Sequence, residues 1–458
     1  MKKALLLILT ALVVQSCATP QSEINASASE AAKGSLPARD AWQSAVQAGA
    51  VQVSWIASFK DPQLTALVEE AVEKNLNLQV ASANLDRARA LARQAGASLS
   101  PTVNLSSNTN RSGGVESSTS NATALNLGLQ VSWEADLWGR ISSGAAQGTL
   151  SAQAAEADFL FAQYSIAANT ALAYFAAIEA HIQEQNSQET IRLLERTLKI
   201  VQAQYDEGVA SAQDLALTRS DMAVARERNQ ALINSKSTGL RSLELLLGRY
   251  PSADLVIRQA LPALPAPPPA GAPAELLERR PDLVAAERRI AAAFNAVETA
   301  KAARLPSLSL TGNLGGASSD LSNLLNPANV AWSLGTSLLA PLIDGGRRLE
   351  AVNSANADQQ AAIAQYADAA LNAFGDVENS LEQGEGLAIR LSALKESEAQ
   401  ARKAYAIAEI LHKEGESSLL DLLTVQQRLI TAQSSVTSME RASLQQRVGL
   451  NLALGGSW

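Results

Sequence analysis

Two stretches of this chain, from about Arg140 to Tyr205 and from about Gly346 to His412, contain no proline, and in the first the only glycines, Gly144 and Gly148, fall in the opening turns. Proline is the residue that most reliably breaks a helix, so each stretch is read as one helix, on the order of 100 Å long at 1.5 Å per residue. No ordinary globular domain encloses such a helix. Ile191, Leu194, Leu198, Val201 and Tyr205 recur at alternating steps of three and four, the spacing of a coiled-coil seam.

The two stretches are halves of a duplication. Asn77-Leu78-Gln79-Val80, leading to Ser100-Pro101-Thr102-Val103-Asn104-Leu105, is echoed by Asp282-Leu283-Val284-Ala285, leading to Leu305-Pro306-Ser307-Leu308-Ser309-Leu310. Further on, Tyr205-x-x-Gly208-x-x-Ser211-x-x-Asp214-Leu215 is echoed by His412-x-x-Gly415-x-x-Ser418-x-x-Asp421-Leu422. An offset of roughly two hundred residues is far longer than a solenoid period. Each copy reads as helix, strand pair, very long helix, tight turn, long helix. The expected organisation is a signal segment over 1–16, an extended N-terminal segment over 17–60, a first repeat over 61–260, a proline-rich connector over 261–274 and a second repeat over 275–458.

Met1-Lys2-Lys3 followed by the apolar run Ala4 to Val14 is a secretory signal, too short for a membrane span. Val14-Gln15-Ser16-Cys17 resembles the lipobox of bacterial lipoproteins, in which the cysteine is acylated and becomes the mature N-terminus. Cys17 is the only cysteine in the chain, so an internal disulfide is excluded. Ala18, rather than an aspartate, follows it, which by the same resemblance implies onward sorting to the outer membrane. The other reading is a plain signal peptide with an incidental cysteine.

Between the helices lie strand-like segments. Leu125, Leu127, Leu129, Val131 and Trp133 alternate with Asn126, Gly128, Gln130 and Ser132; Trp332, Leu334, Thr336 and Leu338 alternate with Ser333, Gly335 and Ser337. Val103 with Leu105, and Leu308 with Leu310, supply the partner strands. Period-two alternation with one polar face suits the wall of a membrane β-barrel, and equally a soluble half-buried hairpin. Export and a lipid anchor favour the barrel. Trp133 and Trp332, near strand ends, add the placement of an aromatic belt. Four strands close no barrel, and backbone groups in hydrocarbon need partners, so a pore requires an oligomer.

Other function classes lack their signatures. A net charge of −8, spread along the helices, does not suit nucleic acid. The two histidines, His181 and His412, fall outside any metal-ligand spacing, and neither a phosphate loop nor a nucleophile elbow occurs. The expectation is a non-enzyme with no cofactor or metal beyond covalent lipid.

Four motifs in order carry a family resemblance: Trp55-x-x-x-Phe59-x-Asp61-Pro62-x-Leu64, Asp136-Leu137-Trp138-Gly139-Arg140, the segment Pro273-x-Glu275-Leu276-Leu277-x-Arg279-Arg280-Pro281-Asp282-Leu283, and Pro341-Leu342-Ile343-Asp344-Gly345-Gly346-Arg347. With them the chain resembles TolC-like outer membrane efflux proteins, in particular the lipid-anchored OprM/NodT group. The resemblance implies a mainly α fold with a small membrane β-barrel portion: a homotrimer with a twelve-stranded barrel joined to a long α-helical tunnel. It implies an exit duct in the outer membrane of a Gram-negative bacterium, working with a periplasmic adaptor and an inner membrane RND transporter. An exit duct for type I protein secretion, which uses the same fold, and a coiled-coil lipoprotein without a pore are the alternatives.

The resemblance also implies site residues. Cys17 carries the lipid. Gly208 with Ser211, and Gly415 with Ser418, form the tip turns on which adaptors dock. Leu420, Asp421 and Thr424 match the constriction at the periplasmic tip, although a second acidic residue commonly stands where Thr424 does.

Overall fold

The computed structural model describes residues 19–36, 41–44, 54–113 and 122–457. In chain order it contains α1 (Gln21–Gly34), a 3-10 turn (Trp55–Phe59), α2 (Pro62–Lys74), α3 (Leu76–Ala97), β1 (Thr102–Ser112), β2 (Ala122–Ala135), α4 (Arg140–Asp206) and α5 (Ala212–Leu246). Then follow α6 (Pro273–Arg279), α7 (Pro281–Ala302), β3 (Ser307–Ser318), β4 (Val330–Leu339), α8 (Arg347–Lys413) and α9 (Leu419–Ala453). The duplication is visible in the lengths: α4 and α8 have 67 residues each, α5 and α9 have 35 each. Both long helices begin and end within a residue or so of the proline-free stretches.

The chain folds as two compact units. The first comprises Met1–Pro37, Asn84–Ala157 and Val284–Ala369 and contains a four-stranded antiparallel sheet, in the order β1-β2-β3-β4. Its helical core is narrow and rich in alanine: Ala28, Ala32, Leu150, Ile290, Ala291, Ala292 and Tyr366 in one cluster, Ala154, Ala157 and Ala285 in another. Alanine permits close helix approach and leaves the other helix faces polar, a pattern unlike the broad apolar face of a globular helix. The N-terminal segment differs from expectation, because part of it is helical rather than extended. In α1 the buried residues are Ile24, Ala28 and Ala32, one stripe at a spacing of four.

The second unit comprises Ala38–Ala83, Asp158–Leu283 and Ala370–Trp458. Its core contains Trp55, Phe59, Leu64, Val68, Tyr174, Phe175, Leu243, Leu247, Leu444 and Val448, which explains the first motif. Pro62 opens α2 at its first position, and Asp61 caps it by accepting the N–H groups of Gln63 (3.0 Å) and Leu64 (3.2 Å). The same carboxylate receives the Tyr174 hydroxyl at 3.2 Å and the Arg258 guanidinium at 3.1 Å. Burial, and then the charge of Asp61, push the Tyr174 phenol well above its ordinary range, so Tyr174 acts as a donor here.

The Arg279-Arg280-Pro281-Asp282 element is scaffold. Arg280, only 8% exposed, donates through Nε to Asp282 at 2.9 Å and through Nη2 to Asp376 at 3.1 Å, with its guanidinium 5.9 Å from the Phe161 ring centre. Arg279 Nε donates to the Leu454 carbonyl at 2.9 Å, tying the end of α9 to the start of the second repeat. The proline connector is shorter than expected, because Pro273 and Ala274 already belong to α6; the residues before them have no regular structure and are pinned from outside. Trp42 Nε1 donates to the Gly271 carbonyl at 2.9 Å, and Arg447 donates to that of Pro265. Beside it, Glu378 accepts from the Gln43 and Ser44 backbone and from Ser44 Oγ, so the short segment at residues 41–44 is held against α8.

Candidate functional site: a two-faced sheet and a helical tip

The sheet's register sorts most of its side chains by polarity. Val103 faces Val131 and Leu105 faces Leu129; Leu129 faces Leu314 and Trp133 faces Leu310; Leu308 faces Leu338 and Leu314 faces Trp332. Directly opposed residues share a face, so one face is largely apolar and carries both tryptophans, with Ser107, Thr109 and Arg111 of β1 interrupting it toward the β1–β2 turn. The other face carries Asn104, Ser106 and Asn108 from β1, Asn126, Gln130 and Ser132 from β2, Ser309 and Asn313 from β3, and Ser333 and Ser337 from β4. On a single chain much of the apolar face lies bare, with Trp332, Leu334 and Leu338 all exposed. No described helix is long and apolar enough to cross a membrane. The strands, at 10 to 14 residues, have the length that crosses a hydrocarbon core when tilted. β1 and β4 are the sheet's edges, and each presents a row of unpaired backbone groups.

At the strand-to-helix junctions Gly139, Gly345 and Gly346 take φ of +76°, +65° and +85°, the left-handed region where a side chain is strained. Asp136 accepts the N–H groups of Ile141 and Ser142 and so caps α4. Burial opposes ionisation of this carboxyl, but the hydrogen bonds from Ser142 and Ile141 outweigh it and hold its pKa low. Asp344 does the same work for α8, accepting from Gly346 and Arg348.

At the other end of the long helices lies the tip. Gly208 and Gly415 have φ of +76° and +78°. The following N–H groups reach back into the helix, Val209 to the Gln204 carbonyl and Glu416 to that of Leu411, each at 2.8 Å; this is how a left-handed glycine ends a helix. Ser211 and Ser418 then open α5 and α9 with reciprocal capping boxes: the Ser211 hydroxyl accepts from the Asp214 N–H while the Asp214 carboxylate accepts from the Ser211 N–H, and Ser418 and Asp421 repeat the arrangement. His412 Nδ1 lies 3.1 Å from the Ser417 carbonyl, which ties it into the turn. Two apolar clusters lock the hairpins together, one of Leu194, Met222 and Ala225, the other of Val201, Leu215 and Leu419, with Leu423 packed against both.

The three candidate constriction residues are exposed but play different parts. Leu420 is 64% exposed. With Thr424, one turn later, it lines a groove of about 540 Å³ that also contains Leu217, Asp221 and Val224 of α5. Thr424 donates its hydroxyl to the Leu420 carbonyl at 2.7 Å. Asp421 is absent from that lining, and one of its carboxylate oxygens is engaged by the Ser418 hydroxyl. Sequence alone placed the three in one group; the fold divides them into a groove pair and a cap.

Cys17 lies outside the described residues. Two residues later, Thr19 donates its hydroxyl to Glu298 at 3.2 Å, and α1 follows directly. Glu298 sits in the last turns of α7, which leads into β3. This docking was missed from sequence, whose only signal was the stripe Ile24, Ala28, Ala32.

The family described as outer membrane efflux protein matches residues 67–249 and 272–456, once over each repeat. The pyoverdine export outer membrane protein OpmQ of Pseudomonas aeruginosa is 30% identical over 416 residues, spanning 88% of this chain and 87% of that one. The cation efflux system protein CusC of Escherichia coli O157:H7 is 29% identical, with 88% of each covered. Among solved structures, the outer-membrane channel OprN superposes with a TM-score of 0.85 at 29% identity, covering 92% of this chain and 98% of that one.

Proposed function

The chain belongs to the outer membrane efflux protein family, and from that premise we propose that it assembles as a homotrimer into the passive exit duct of a tripartite efflux system. The observation that carries the reading is the sheet: one face largely apolar, one face polar, and both edges open. A bilayer tolerates such a sheet only when its edges are closed. β1 and β4 run antiparallel to each other through the alternation of the sheet, so three copies joined edge to edge give twelve strands with lipid outside and water inside. The proposed duct is an outer membrane channel whose helices extend into the periplasm.

The remaining assignments follow the same geometry. The tip turns at Gly208–Ser211 and Gly415–Ser418 are the surface for a periplasmic adaptor, and an inner membrane transporter of the RND class supplies the energy. Leu420 and Thr424 line the constriction there. A lipid on Cys17 enters the outer membrane from the side on which α1 docks, a placement supported by the contact of Thr19 with the end of α7. The cargo is small solutes, as the relatives named for siderophore export and cation efflux suggest. Purified protein in detergent should sediment as a trimer and form discrete conductances in planar bilayers. A stable, folded monomer without conductance would overturn the proposal.

A further inference from the structure

The duplication carries information about how two copies of the chain meet. β1 and β3 are counterparts, with Thr102 corresponding to Ser307 and Leu105 to Leu310. Because Thr102 pairs with Ser132 and Ser307 with Leu339, Ser132 of β2 corresponds to Leu339 of β4. The helices that follow, opening at Arg140 and Arg347, keep the same offset. Inside one chain the first repeat is joined to the second through β2 and β3: Ala135 faces Leu308, Trp133 faces Leu310, Val131 faces Gly312 and Leu129 faces Leu314. The open edges of the chain, β4 and β1, are the counterparts of those two strands.

We propose that β4 of one copy pairs with β1 of the next in the register obtained by transposing the β2–β3 junction: Leu342 opposite Val103, Ala340 opposite Leu105, Leu338 opposite Ser107 and Thr336 opposite Thr109. This deepens the trimeric reading above and rests on it. The pairing extends β4 by three residues, as β2 extends past Ser132 where β3 lies beside it. It brings together side chains that a single chain leaves bare, Leu342 at 90% exposure with Val103 at 62% and Leu105 at 71%. A slip by one residue is excluded, since it would set those apolar side chains against the face of Asn104 and Ser106. Only slips by two residues keep the faces matched.

The junction between copies also differs from the one within a chain. At β2–β3, Trp138 Nε1 donates to the Pro306 carbonyl at 2.6 Å and Arg140 pairs with Glu134 at 2.7 Å. The counterparts of Trp138 and Glu134 are Gly345 and Pro341, which can make neither bond. Leu342, itself almost wholly exposed on a single chain, supplies apolar contact with Val103 in their place.

Disulfide trapping tests the register. Directly opposed antiparallel residues have Cα atoms about 4.5–5.5 Å apart, within reach of a disulfide, whereas diagonal neighbours lie at about 7–8 Å and are not. The double variant Thr336→Cys with Thr109→Cys, oxidised in isolated outer membranes, should give covalent dimers and trimers on denaturing, non-reducing gels. Each single variant should give none, which also controls for Cys17. Ala340→Cys with Leu105→Cys is the second pair, used should the first fail to assemble. A ladder from Thr336→Cys with Ser107→Cys or with Arg111→Cys, in place of the predicted pairs, would overturn the register and leave the trimer standing. Trimeric protein with no ladder from either predicted pair would equally overturn the register. Monomeric protein with no ladder from any pair would remove the register together with the exit duct on which it rests.

Discussion

Leu420 and Asp421 are adjacent in sequence and differ in what each holds. Leu420 projects into the groove between α9 and α5, whereas Asp421 closes the cap of α9. An apolar constriction gates by excluding water, and a ring of charge by selecting ions. Replacing Leu420 by Ala therefore should raise single-channel conductance severalfold in planar bilayers; an unchanged conductance would place the constriction elsewhere. A second residue-scale test uses Glu70. The hydrogen bonds from the Arg249 guanidinium, at 2.9 and 2.5 Å, hold its carboxyl below the ordinary value against the opposing effect of burial, with Lys74 assisting. A depressed folded-state pKa gives stability that is present above the unfolded pKa of about 4.3 and is lost as the pH falls through the lower folded value. Arg249 is half exposed, so the pair contributes about 0.5–1 kcal/mol. Arg249→Gln should lower the melting temperature at pH 7, and the gap to the parent should close below about pH 4.

Elements show which parts of the fold were legible. The long helices were readable because proline and glycine mark helix ends locally, and their boundaries came out nearly to the residue. The strand pairs were readable from period-two alternation, although β3 runs on to Ser318 through glycines that gave no alternation to follow. The helix α1 was not readable: Gln21-Ser22-Glu23-Ile24-Asn25-Ala26-Ser27-Ala28 has one large apolar residue, and its helical state is fixed by Leu150, Ile290 and Tyr366, which lie far away in sequence. The tip was half legible. Gly-x-x-Ser marks a turn and a cap, but only the fold shows that Asp421 completes the cap while Leu423 bridges the hairpins. The element-scale prediction is that Ser418→Ala costs about 1 kcal/mol at the start of α9. Amide hydrogen exchange at residues 419–422 should then accelerate roughly fivefold, with little change in the second unit's core around Leu444.

At the scale of the whole molecule the lipid proposed on Cys17 and the apolar face of the sheet would hold the chain to its membrane unequally. Acyl chains contribute about 0.8 kcal/mol per buried methylene, but an anchor of this kind acts at one point per chain. The sheet instead offers a largely apolar face, from Val103 and Leu105 on β1 to Trp332, Leu334 and Leu338 on β4, and its backbone groups leave hydrocarbon only by breaking the strand ladder. The anchor is therefore expected to guide delivery and insertion, and the strands to provide retention. Cys17→Ser should abolish fatty-acid labelling of the protein. Whatever fraction of that variant inserts should stay with the outer membrane through an alkaline carbonate wash and should keep its conductance. Labelling that persists would remove the lipid from Cys17. Release of inserted, trimeric variant by the wash would show that the lipid, and not the apolar face of the sheet, is what holds this duct in the bilayer.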